Sequence, residues 1–100
     1  MIDWLSDELG HLTQLIEMCY VFGSVAKETP EPKDCDILIV SSVNQNEEDW
    51  FHLRQELRAV KESFRQKFNI DLSIVLMTSK EYTREIHEFE NRFSPRIEVQ

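Results

Sequence analysis

Asp34 and Asp36 stand one residue apart in the run Asp34-Cys35-Asp36-Ile37-Leu38-Ile39-Val40. Side chains alternate along a strand, so both carboxylates point to the same face. Two like charges held side by side are costly unless a cation lies between them. Hard carboxylate oxygens suit Mg²⁺, which is commonly held by one or two carboxylates together with substrate phosphates. Upstream, Phe22-Gly23-Ser24 is followed by a polar loop that runs to Lys33. A Gly-Ser turn ahead of a helical turn offers backbone N–H groups and a hydroxyl to a phosphate. These parts together imply a site for a nucleoside triphosphate and a divalent metal.

Several elements must position these residues. Leu5, Leu9, Leu12 and Ile16, widened by Leu15, recur at helical spacing and predict a first helix, with Gly10 as its weak point. Cys19 to Phe22 reads as a strand entering the Gly-Ser turn. Thr29-Pro30-Glu31-Pro32-Lys33 is a loop, because its prolines fit neither regular element. Asp34 to Ser41 is a strand whose unbroken apolar run predicts burial on both faces, hence a central position. Asn46 reads as an N-cap before the acidic turn Glu47-Glu48-Asp49. The helix that follows carries Trp50, Leu53, Leu57, Val60, Phe64 and Phe68 on its core face. Arg54, Glu56, Arg58, Lys61, Glu62 and Arg65 form a mixed-charge outer surface.

Asn69 is a candidate left-handed C-cap for that helix. Ile70 to Met77 alternates as a strand, with Asp71, Ser73 and Val75 on the face opposite Ile70, Leu72, Ile74 and Leu76. Thr78 or Ser79 caps a last helix through about Phe89, with Glu81 early in it. Ser94-Pro95 ends that unit, and Arg96 to Val99 is an edge strand or a tail. This succession predicts an α+β fold, a small mixed β-sheet covered by helices, in a single domain spanning residues 1–100. A helical crossover between the strands of Asp36 and Asp71 makes them parallel, and as neighbours they would bring Asp71 near the Asp34–Asp36 pair.

A net charge of −8 disfavours general nucleic-acid binding, which depends on Lys and Arg neutralising phosphates. Cys19 and Cys35 have no metal-ligand spacing and sit in apolar stretches, as small buried hydrophobes do. His11, His52 and His87 lie on predicted helices without partner spacing, and packing or surface roles are expected. The start Met1-Ile2-Asp3-Trp4 predicts no signal peptide, and no stretch approaches a membrane span. A cytoplasmic location is the expectation.

The run Tyr20-Val21-Phe22-Gly23-Ser24-Val25-Ala26-Lys27, with Asp34-Cys35-Asp36-Ile37 after the loop, resembles the nucleotidyltransferase superfamily. That group includes DNA polymerase beta-like palms and the minimal nucleotidyltransferases. Its motif is an apolar strand, Gly-Ser, a loop, then Asp-x-Asp before apolar residues. A third carboxylate stands on a later strand, the place Asp71 takes in Asn69-Ile70-Asp71-Leu72. The resemblance implies a polymerase beta palm-like fold, with Asp34, Asp36 and Asp71 as catalytic and Mg²⁺-holding residues. It implies further that Gly23 and Ser24 cradle the phosphates of ATP and that Lys27, with Lys33, neutralises their charge. Two positions depart from the pattern. Glu28 stands where a second glycine is usual, and the loop is about one residue shorter than the commonest form.

The resemblance implies transfer of a nucleoside monophosphate, AMP from ATP, to a hydroxyl. Proteins this short resemble the antitoxin half of HEPN/MNT toxin–antitoxin pairs, in which AMP is placed on a tyrosine of the partner RNase. A HEPN toxin is thus the expected partner, with homo-oligomerisation through helix faces open. The alternative, suggested by Glu28 and the altered loop, is an inactive antitoxin or immunity protein that works by binding. Modification of a small molecule such as an aminoglycoside is the weaker third reading, since those relatives usually carry an added acceptor domain.

Overall fold

Ile37-Leu38-Ile39-Val40 is wholly buried, and the protein is organised around it. A computed structural model describes residues 1–27, 30–45, 47–89 and 96–99. The expectations resting on Glu28, Asn46 and Ser94-Pro95 lie outside the described residues. In chain order the elements are α1 (Ile2–Leu9), a 3₁₀ turn (Gly10–Leu12), β1 (Ile16–Phe22), α2 (Gly23–Ala26), β2 (Asp34–Ser41), α3 (Glu48–Phe68), β3 (Asp71–Thr78), α4 (Ser79–Phe89) and β4 (Arg96–Glu98). The sheet has four strands in the order β3-β2-β1-β4. β2 is therefore central, as its apolar run predicts.

β1 pairs antiparallel with β2 and with β4, whereas β2 and β3 are parallel. The parallel pair follows from α3, whose length returns the chain to the end where β2 began. α3 buries Trp50, Leu53, Leu57, Val60 and Phe64. These pack with Leu5, Leu9 and Leu12 on the sheet face made by Cys19, Val21, Cys35, Ile37, Ile39 and Leu72. On the other face Phe22, Leu38, Val40 and Met77 form a second cluster, with Tyr82 of α4 against it. Two covered faces explain why β2 tolerates no polar residue between Asp36 and Ser41.

α3 ends at Asn69, whose backbone is left-handed (φ 58°, ψ 27°) and whose N–H donates to the Arg65 carbonyl at 2.9 Å. α4 begins with a reciprocal cap. The Glu81 carboxylate accepts from the Thr78 N–H at 3.1 Å, and the Thr78 hydroxyl accepts from the Glu81 N–H at 3.2 Å. Arg96–Glu98 is the edge strand rather than a tail.

The first helix is shorter than its apolar spacing predicts. Leu5, Leu9 and Leu12 are buried, but Ile16 already belongs to β1 and pairs with Ser41. The Leu15 carbonyl accepts from the Ser41 hydroxyl at 2.8 Å and the Ser42 N–H at 3.2 Å. These bonds tie the chain to the end of β2, and Gly10 offers little resistance to stopping the helix early. Among the described residues no helix is long and apolar enough to cross a membrane.

Candidate active site

The β1–β2 pairing places Phe22 opposite Asp36, so the chain leaves β1 and turns into α2 beside that carboxylate. Gly23 makes the turn with φ +72°, a conformation that side-chain-bearing residues rarely adopt. A β-carbon at Gly23 would collide with Asp36 Oδ2 and lie 3.3 Å from Asp36 Cγ. Glycine is thus required twice, by its backbone and by its neighbour. Ser24 follows in α2, and the Lys27 N–H closes the turn onto the Gly23 carbonyl at 3.1 Å. The first N–H groups of such a turn have no partner within it. Lys27 and Lys33 are exposed at either end of the loop.

On β2, Asp34 and Asp36 are half-buried and share the face of Leu38 and Val40. The parallel register sets Asp34 opposite Asp71 and Asp36 opposite Ser73. All three expected carboxylates therefore belong to adjacent strand positions at one end of the sheet. Their side chains differ in setting. Asp71 is 65% exposed, and its Oδ1 lies 3.4 Å from Nη1 of Arg65. Among the described residues no three Asp, Glu, His or Cys side chains stand together as a metal-holding group.

Arg65 is the residue that sequence reasoning missed, because on α3 it reads as one more solvated charge. The left-handed turn at Asn69 folds β3 back so that Asp71 reaches the guanidinium. The signal was the short spacing between a basic last turn, an Asn cap and an acidic strand start.

Cys35 lies between the two aspartates in sequence but points into the opposite, apolar face, where it is fully buried. Burial pushes its thiol up to about 11, with the Asp36 and Asp34 charges adding to the shift. It is a neutral thiol at physiological pH. Cys19 is likewise buried, its thiol pushed up to about 12 first by burial and then by Cys35.

By chemical type, carboxylate oxygens are the donors a hard divalent cation such as Mg²⁺ takes, although the three side chains do not converge here. Asp34 and Asp36 offer oxygen ligands from one strand face, and Asp71 offers another from the facing register position.

Comparisons with known proteins bear on the family and the fold. Residues 8–90 match the polymerase beta nucleotidyltransferase family. A candidate nucleotidyltransferase from Sulfolobus solfataricus, solved by crystallography, superimposes with a TM-score of 0.57 at 14% identity, covering 98% of this chain and 78% of that one. A second crystal structure of a candidate nucleotidyltransferase superimposes at 0.52 with 17% identity, covering 99% and 97% of the two chains. At such identities the likeness is one of fold. By sequence, no curated protein matches. The sheet, the Gly23 turn and the register of β2 on β3 define a nucleotidyltransferase fold. The chain belongs to the polymerase beta-type nucleotidyltransferase family.

Proposed function

We propose that the protein is a Mg²⁺-dependent nucleotidyltransferase that moves AMP from ATP to a hydroxyl on a partner protein in the cytoplasm. The reading is carried by one observation, the packing of Gly23 on Asp36 next to the Asp34–Asp71 register pair. Asp34 and Asp36 would hold the metal, with Asp71 completing the set. Bound Mg²⁺ supplies positive charge to the triphosphate and to the departing pyrophosphate. The N–H groups of Gly23 and Ser24 bind the terminal phosphates, and the Lys27 ammonium offsets their charge. Asp71 takes the proton of the acceptor hydroxyl as the new oxygen–phosphorus bond forms and the bond to pyrophosphate breaks.

The expected context is that of a minimal nucleotidyltransferase antitoxin silencing a HEPN-type RNase. Calorimetric titration of ATP with and without Mg²⁺ tests the site. Mg²⁺-dependent binding that disappears in Asp36→Asn supports it, and folded protein that binds no triphosphate overturns it.

A second reading is favoured by the Arg65–Asp71 ion pair, which occupies the third carboxylate. In that reading the fold is an inactive antitoxin or immunity protein that acts by binding. Asp36→Asn separates the two, since a binding module still neutralises its partner after the substitution and an enzyme does not.

A further inference from the structure

β3 is an outer strand of the sheet, and among the described residues nothing pairs with its free edge. Such an edge presents a row of unpaired N–H and C=O groups. Beside it runs a groove of about 300 Å³ lined by Arg54, Leu57, Arg58, Lys61, Ile74 and Leu76. Ile74 and Leu76 are only half-buried and give the groove an apolar floor. The basic wall is a single helical row, Arg54, Arg58, Lys61 and Arg65, at spacings of four, three and four residues. Arg54, Arg58 and Lys61 are exposed, and none of them has an ion-pair partner among the described residues. Phe51, 57% exposed, continues the row one turn earlier.

The charges of α3 are partly sorted by face, with exposed Glu62, one turn after Arg58, bordering the basic row. Glu56 is turned to the opposite flank, where it meets His11 at 3.1 Å. A concentrated basic row on a chain of net charge −8 is therefore a local feature of this edge.

We propose that the β3 edge and the basic flank of α3 form a docking groove for an extended acidic segment of a partner protein, added to the sheet as a further strand. Alternate residues of a strand lie roughly 6.6 Å apart, and helix positions four apart rise about 6 Å. Carboxylates at alternate positions of the added strand thus meet Arg54 and Arg58 nearly in step, and the long flexible side chain of Lys61, about 4.5 Å further along the helix, reaches the next, while the backbone of the segment satisfies the open edge. A second copy of this chain does not suit the groove. Symmetric β3–β3 pairing would set the two basic rows against each other. A long polyanion such as RNA meets the net negative charge of the whole chain, whereas a short acidic segment meets only the row. The row ends at Arg65, which touches Asp71. A docked segment thereby leads toward the candidate active site, and its role as carrier of the acceptor hydroxyl rests on the nucleotidyltransferase reading. Docking itself does not.

The test is an NMR titration of the whole protein with an octapeptide of alternating Glu and Val, matched to the 8 residues of β3. An alternating Lys–Val octapeptide and a single-stranded oligouridine are run alongside. The Glu–Val peptide is expected to move the β3 amide signals, and Arg54→Glu with Arg58→Glu to weaken it roughly tenfold or more. Should the reversal disturb folding, Arg54→Gln with Arg58→Gln gives the same ranking with a smaller loss. Asp36→Asn, which removes nucleotide binding, leaves docking unchanged, so the two readings fail separately. Absence of β3 shifts, equal binding by both variants or equal binding of the Lys–Val peptide overturns the proposal. Tighter binding of oligouridine on the same residues overturns it in favour of a nucleic-acid surface.

Discussion

Gly23 rests against the carboxylate of Asp36 with no space for a β-carbon between them. The turn that delivers backbone N–H groups to the site is thereby locked to the strand that delivers the carboxylate. Gly23→Ala should cost roughly 1–2 kcal/mol for the left-handed backbone alone, with the clash against Asp36 adding to it. Urea unfolding would show this as a lowered midpoint. On the proposed function, Mg²⁺-dependent ATP binding should fall further than the stability loss explains, because the new methyl displaces the Asp36 carboxylate. A variant with wild-type midpoint and wild-type binding would show that the close approach is immaterial.

On the proposed function, Arg65 and a metal ion would compete for the Asp71 carboxylate. The ion pair with Asp71 is well exposed on both sides, so its loss should change stability by no more than about 0.5 kcal/mol. Arg65→Ala should nevertheless tighten Mg²⁺ binding, because Asp71 loses its only described cationic partner. Calorimetry of Mg²⁺ in the presence of ATP measures this directly. Weaker Mg²⁺ binding in the variant would instead make Arg65 a helper of the site.

The two buried thiols set an alkaline limit. Both have folded values raised above the ordinary 9.0, to about 11 for Cys35 and about 12 for Cys19. An unfolded chain releases these protons first, so the thiols favour the folded state fully below about pH 9. That contribution is lost as pH rises through 11 and 12. Thermal midpoints should be flat from pH 7 to 8 and fall steeply above 9 in the wild type. In Cys19→Ala with Cys35→Ala the fall should be shallower, and equal slopes would assign the alkaline loss to other groups.

Glu81 holds the start of α4 through Thr78 and also accepts from Gln45 at 2.7 Å. Glu81→Ala should cost about 1 kcal/mol, the usual worth of a cap. Hydrogen exchange should report the loss as faster exchange in the first turn of α4 with little change in α3. Uniform acceleration across the sheet would mean that α4 is not an independently fraying element.

Much of this architecture could be read from the chain because local and tertiary preferences coincide. In β2 the apolar run, the burial and the central position all agree. In α3 the core residues, the acidic first turn and the Asn69 cap mark one helix. The first helix was misread where they conflict. Leu15 and Ile16 continue a helical stripe, but hydrogen bonds from Ser41 and Ser42 claim the chain for the sheet, and a local pattern carries no trace of a bond made so far along the sequence. The candidate site was legible as residue types at positions 34, 36 and 71. The register that sets Asp34 opposite Asp71 needs the length and direction of α3, and the Arg65 contact needs the turn after it.

The parallel pairing of β2 with β3 has a kinetic consequence. Asp34 and Asp71 are joined in the chain only through the whole of α3, and nothing local holds them together. Closing so long a connection is slow compared with forming a helix or a hairpin. β1 and β2 are consecutive in the chain and pair without α3, so the placing of Asp34 and Asp36 does not depend on that closure. Docking of β3 on β2 and assembly of the proposed site are therefore the same folding event, and a chain with β3 undocked keeps the first two aspartates without the third.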